Sequence, residues 1–341
     1  MSSDKSAAFA AFFMFFLLIV MNAHAVNPDE EPVKSLIEQG IELTITNNFE
    51  GAAQLYQQLI DQYPKSPMGY FYKGATLQAR MLDREDYSRQ DEFFGLMDKT
   101  IDLAVKQQES GAENAWNYFY EGSAYLYRSF MKSKLGKWFP AYRDAVRGVD
   151  RLEAAIKMDS LLYDAYMGVG SFKYWKSARA SFLSWLPFIS DEREEGIRMI
   201  RQAIEKGDFV YWVGRDQLCW ILLNEGREEE AFVAAQENLT AYPQSRFFKW
   251  TLVSAALHSH RLDLSRELYK ELLDDIRSLP ENNHYNELDC LVSLAEIERD
   301  SENWSDAFRY ADEALRLQID STIRKRSRDR LEKALKIRNM A

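Results

Sequence analysis

The sequence predicts an all-α protein: a solenoid of about seven helical hairpins stacked side by side, closed by a C-terminal capping helix. Three observations predict it. Residues 33–64 read as two short amphipathic helices, with Leu36, Leu43, Tyr56 and Leu59 as an apolar stripe at helical spacing. A small residue like Gly40 then returns down the chain, at Gly74, Gly122, Gly170, Cys219, about Ser254, and Ala295, with separations of 34, 48, 48, 49, 35 and 41 residues. Finally, one such hairpin cannot bury its own stripe and must pack against a neighbour, so one unit predicts more.

In the first unit, Gly40 has no side chain where the two helices cross, and Ala52 is the small residue expected to face it. Pro64 cannot continue a helix interior, so the second helix ends just before it. The second unit carries Tyr70, Gly74 and Leu77, then a polar stretch and a second apolar helix from about Phe93 to Val105. The third opens with Tyr118, Gly122 and Tyr125 in register, and its partner helix starts near Pro140. The fourth keeps Tyr166 and Gly170, and its second helix runs from about Asp191, three before Glu194, to a stop at Gly207. In the fifth, Ala231 and Pro243 stand at the same distances from Cys219 as Ala52 and Pro64 from Gly40. The sixth keeps Trp250 and Tyr269 with Ser265 in place of alanine; the seventh keeps Ala295, Ala307 and Ala314 without a closing proline.

Gly40, Ala52, Tyr56 and Pro64, and their counterparts in the fifth unit, resemble the punctuation of the tetratricopeptide repeat, whose period is about 34 residues. The resemblance covers residues 33–320 and implies a right-handed α-solenoid. The units between about 67 and 211 are longer by 14 residues or so. Divided between two helices, that is about seven each, close to two turns, which keeps the same face inward. Residues 321–341 carry eight Lys or Arg against Asp329 and Glu332 and are expected to form a basic, solvated capping helix.

The formal charge of −10 argues against a nucleic-acid partner, because phosphate binding needs a basic surface. Lys5 followed by an apolar run to Val20, and then Ala23-His24-Ala25, predicts a signal peptide over residues 1–25 with cleavage after Ala25, and residues 26–32 as a short linker. An uncleaved anchor is the alternative. The mature protein is therefore expected in an exported compartment, the periplasm if the source is Gram-negative. Cys219 and Cys290 fall two units apart and are expected as small buried residues without a disulfide.

Motifs for a nucleophile, a metal or a phosphate are absent from the sequence, so no catalytic residue, cofactor or metal is expected. Family ligands lie along the concave surface of the first helices, and the resemblance carries that role onto Trp116, Phe119, Tyr127, Tyr174, Trp175 and Trp220. These residues either line an aromatic groove for a peptide or fill the interior of the enlarged units; the sequence leaves both open. Ser181–Ser190, with Phe182, Trp185 and Phe188, is too apolar to face water as a whole. It either packs on the adjacent unit or contacts a partner or a membrane surface. The expected function is a non-catalytic exported scaffold binding a peptide or protein in its concave groove; the alternative is an accessory subunit of envelope transport or assembly holding a small apolar ligand in the central units. Arg215, on a first helix, is a candidate reader of a partner's terminal charge.

Overall fold

The computed structural model describes residues 27–111, 113–180 and 191–340, and the predicted signal peptide and Ser181–Ser190 lie outside them. Among the described residues there are sixteen helices and no strand. They pair into seven hairpins: α1 (Val33–Ile45) with α2 (Phe49–Gln62), α3 (Met68–Arg84) with α4 (Gln90–Glu109), α5 (Ala115–Lys134) with α6 (Trp138–Met158), and α7 (Asp164–Ala180) with α8 (Arg193–Lys206). The remaining three are α9 (Tyr211–Asn224) with α10 (Glu228–Ala241), α11 (Arg246–His258) with α12 (Leu262–Arg277), and α13 (Tyr285–Asp300) with α14 (Trp304–Arg316). The all-α solenoid expected from the sequence is therefore the observed fold.

Where the extra residues of the central hairpins go can be read from the small-residue markers. Gly40 lies five residues before the end of α1, whereas Gly122 lies twelve before the end of α5. On the return helices, Ala52 is three residues past the start of α2 and Gly148 ten past the start of α6. Each helix of the third hairpin is thus seven residues longer, and the whole addition sits at the end bearing the turn. Two added turns carry that end outward by about 10 Å. In the fourth hairpin only α7 is lengthened; Gly196, which faces Gly170, is three residues into α8.

The helix crossings differ from the expectation for Gly40. A side chain there would meet the ring of Tyr56, not Ala52, and the Tyr56 hydroxyl donates to the Ile37 carbonyl at 3.1 Å. Tyrosine fills the space that glycine leaves. The central hairpins cross closer still, because glycine faces glycine: a Cβ on Gly122 would lie 2.7 Å from the Gly148 carbonyl oxygen, and one on Gly170 2.7 Å from that of Gly196. Backbone cannot yield as a flexible side chain does.

The C-terminal segment is not one solvated helix. It breaks at buried Ser327 into α15 (Ser321–Arg326) and α16 (Arg328–Arg338), and Ile323, Ala334 and Ile337 are buried, the last two in the core shared with α13 and α14. Part of its charge is used internally: Arg330 pairs with Asp289 at 2.6 Å and lies over the Tyr285 ring.

The stack also closes on itself. The turn between α1 and α2 meets the loop between α10 and α11, where Asn47 donates to the Gln244 carbonyl at 2.8 Å and Phe49 packs edge-on against Phe247. The far end of α3 meets the loop before α13. Arg246 at the start of α11 forks onto Asp83 at 2.8 and 2.7 Å, with Asp83 only 1% exposed. Asn286 donates to the Asp83 carbonyl at 2.8 Å, and Arg326 of the cap donates to the Glu85 carbonyl at 3.0 Å and pairs with its carboxylate. The first two hairpins therefore lie edge to edge with the fifth, sixth and seventh.

Two results are expected. Gly170→Ala, although alanine favours a helix, should lose about 1–3 kcal/mol through the backbone collision, read as a lower thermal midpoint by circular dichroism. Arg246→Ala strands Asp83 and should cost about 3–5 kcal/mol. Its small-angle scattering should show a larger radius of gyration, and an unchanged radius would mean the closure does not depend on this pair.

Candidate functional site

The first helix of each hairpin lines the inner face, and the six aromatics singled out in the sequence lie on α5, α7 and α9. Trp116 and Phe119 are buried with their rings 5.2 Å apart, and Trp116 lies 5.8 Å from Phe209. Phe71 of α3 reaches Tyr127 at 5.3 Å and Tyr120 at 5.5 Å, and Tyr72 stacks on Tyr56 at 5.4 Å. These rings form one packed cluster across the first three hairpins. Offset and edge-to-face arrangements at such distances add to what area burial supplies.

Phe209 enters the cluster because its loop is held. Buried Asp164 at the start of α7 accepts the backbone N–H groups of Asp208 and Phe209, both at 2.8 Å. Loss of hydration raises its carboxyl to about 6, while those two donors oppose the rise. Gln78 of α3 donates to the Tyr127 carbonyl at 3.0 Å, covering it from the other side. In the closed stack, then, Trp116 and Phe119 face their own chain. The rings also occupy the centre in which a small ligand would have to lie.

Farther along, Tyr174 is buried; its hydroxyl donates to Glu225 at 2.8 Å and accepts from Asn224 at 2.7 Å. Trp175 beside it is half-buried, its ring 5.0 Å away. Trp220 differs from the others: it is 39% exposed, and it stands one helical turn after Asp216 on α9. Asp216 also accepts from the Thr251 hydroxyl of α11 at 2.6 Å, and Gln217 donates to the Ser171 hydroxyl of α7 at 2.6 Å. Trp220 therefore follows directly on a polar frame that spans three neighbouring helices, α7, α9 and α11. Arg215 is spent inside the scaffold, donating to Asn238 at 2.8 Å and pairing with Glu237, so it is not free to read a partner's charge.

Trp175 and Trp220 are thus the two tryptophans of the set that keep access to solvent. The polar frame around Trp220 was not foreseen; Asp216 four residues before Trp220 is its signal in the sequence. The segment bearing Phe182, Trp185 and Phe188 lies outside the described residues. Among the described residues, no three His, Cys, Asp or Glu side chains gather as a metal site, and no helix is long and apolar enough to cross a membrane. Cys219 and Cys290 are both buried and unbridged, and burial raises the Cys219 thiol to about 12.

Comparison with known proteins places this geometry. Residues 249–320 match the tetratricopeptide-repeat family model. Similar solved structures include the C-terminal part of a TPR repeat-containing protein from Cytophaga hutchinsonii, 15% identical over 85% of this chain and 98% of that one, with a TM-score of 0.42. A thermophilic TPR protein from Thermus thermophilus is also 15% identical, over 65% of this chain and 98% of that one, with a TM-score of 0.42. The Cut9–Hcn1 hetero-tetramer of the APC/C is 11% identical over 89% of this chain and 52% of that one, with a TM-score of 0.54. No curated protein sequence matches the chain. The fold is that of the tetratricopeptide-repeat solenoids.

Asp216, like Asp164, is raised to about 6 by burial, against its hydroxyl donor. The folded state then binds the proton more tightly than the unfolded chain does. The resulting penalty is absent below about pH 4 and complete above about pH 6, so this contribution to stability falls as pH rises. Asp216→Asn removes its share. The difference in thermal midpoint, wild type minus variant, should become less favourable to wild type between pH 4 and 7. A tryptophan-emission change with its midpoint near pH 6 should disappear with it, and a difference independent of pH would place the Asp216 titration in the ordinary carboxylate range.

Proposed function

We propose that the protein is a non-catalytic exported scaffold that binds a peptide or protein partner on the part of its inner face left open, at Trp175 and Trp220. The observation that carries this reading is the exposure of Trp220 beside that polar frame. A tryptophan that keeps two-fifths of its surface in water, on a helix tied to both neighbours, offers an apolar face that a partner can cover without reordering the backbone beneath it. Tryptophans covered in this way supply a disproportionate share of binding energy at protein interfaces. Around it, the hydroxyl and amides of Ser171, Gln217 and Asn224 offer hydrogen bonds that would fix the register of an extended backbone.

Export rests on the leader: a cation, an apolar run and a small-x-small site ending at Ala25. A small apolar ligand in the central units has less to support it, because rings 5–6 Å apart pack that interior. The test is a photo-crosslinking amino acid placed at position 220 in the host cell, with exposed Trp304 on α14 as the control position. A protein adduct at 220 and none at 304 is expected, and Trp220→Ala should then weaken the purified pair by about tenfold or more. Equal labelling at both positions, or full affinity in the alanine variant, would sink the assignment.

A further inference from the structure

The third hairpin carries a second surface that the inner face does not explain. Its turn end, pushed out by the seven added residues on each helix, presents Phe130 of α5 and Trp138, Phe139 and Tyr142 of α6 to solvent, at 47%, 63%, 78% and 60% exposure. Trp138 and Tyr142 stand one turn apart on one face of α6. Arg143 follows Phe139 at the same interval.

The charge there runs against the rest of the chain. Residues 128–147 hold six Lys or Arg and the single acid Asp144, in a protein whose formal charge is −10. Asp144 is buried and already paired with Lys132 and with Arg128 at 3.1 Å, and Lys134 pairs with Glu85 at 3.3 Å. Lys137, Arg143 and Arg147 are exposed and have no acidic partner among the described residues. So the tip combines four exposed aromatics with two uncommitted cations, Lys137 and Arg143, and a third, Arg147, stands one turn farther along α6.

We propose that this tip is a seat for the surface of an anionic lipid bilayer. Indole and phenol rings settle at the level of lipid headgroups, where one end is apolar and the other wet, and phenylalanine inserts just beneath them. Lysine and arginine keep their heads at the phosphates while their stems lie against apolar surface, and an anionic leaflet attracts them over a Debye length. The rings stand on a projecting end rather than in a groove. A flat, deformable surface suits that shape, whereas a protein partner would need a matching pocket for each ring. Contact of this kind is peripheral, and it would hold the scaffold by one edge with the face around Trp220 left free. Residues 181–190 form no part of the assigned site.

The test uses a chain starting at Val26, which retains every described helix, and sedimentation with vesicles of phosphatidylcholine alone or mixed equally with phosphatidylglycerol. Wild type should bind the mixed vesicles, bind the neutral ones at least tenfold less, and be released by salt. Trp138→Ala/Phe139→Ala should lose at least tenfold in binding with its thermal midpoint unchanged, since both side chains are exposed. Lys137→Glu/Arg143→Glu/Arg147→Glu should erase the preference for anionic lipid. The proposal is overturned if wild type ignores the mixed vesicles, or if both variants bind them as wild type does. It is equally overturned if wild type ignores lipid and instead forms a dimer that the double alanine variant dissolves, which would make the tip a contact between copies.

Discussion

The contact between Arg246 and Asp83 fixes how the two ends of the solenoid meet. In an open solenoid each first helix shows its inner residues to solvent, and position along the repeat alone tells which side chains a ligand meets. Here a fork of two hydrogen bonds, at 2.8 and 2.7 Å in a site almost without water, joins α3 of the second hairpin to α11 of the sixth. Such a pair adds little net stability over an apolar pair, but it tolerates only one geometry, because either partner left alone would be a buried charge. It therefore sets register between parts of the chain that are distant in sequence. On either side of it, Asn47 and Asn286 donate to the carbonyls of Gln244 and Asp83 across the same seam.

The aromatic inner face is divided into two kinds of surface. Toward the N-terminus, Trp116 and Phe119 are core and Tyr127 is partly buried against it, covered by Phe71 and Gln78 of the adjacent hairpin and by Phe209. Toward the middle, Trp220 remains half in water beside its polar frame. The two apolar cores follow the same division: one runs from Val33 to Val169 and takes in Phe209, the other from Tyr174 to the cap, and α7 contributes to both. A rigid N-terminal half with its interior filled is thus coupled to a C-terminal half that keeps an accessible inner surface.

Local features of this architecture were legible in the sequence, and those that depend on distant segments meeting were not. Gly122 and Gly170 marked the crossings, and the arithmetic of seven residues per helix matched α5 and α6, because repeat spacing is set by contacts between neighbours in the chain. The partner glycines at 148 and 196 went unrecognised, since nothing in the reading of the first unit, where Tyr56 fills the crossing, pointed to a glycine on the second helix. The offsets placed Trp116 and Trp220 on the same inner face, but an offset says nothing of what covers a face. That depends on which distant segments come to lie there, as where Asp164 holds the Phe209 loop against Trp116. The basic tail was misread for the same reason: Arg326 and Arg330 look like solvated cations until Glu85, Tyr285 and Asp289 are seen beside them.

The position of the added turns carries the last step. Lengthening a repeat at its crossing would disturb packing on both neighbours, whereas lengthening at the turn leaves the crossing and the inner face unchanged. Two full turns on each helix keep the apolar stripe pointing inward, so the extension is accommodated by the fold without altering its register. What the addition produces is a projecting edge, free of the constraints that bind the inner face. The composition of that edge confirms the freedom: hydrophilic side chains would suffice for solubility, yet Phe139 stands 78% exposed beside unpaired cations, at a local cost in water that core packing does not require. Packing therefore accounts for the length of the third hairpin but not for the chemistry of its end. The two surfaces can change independently, one through the residues framing Trp220 and the other through a tip about 10 Å beyond the regular hairpins.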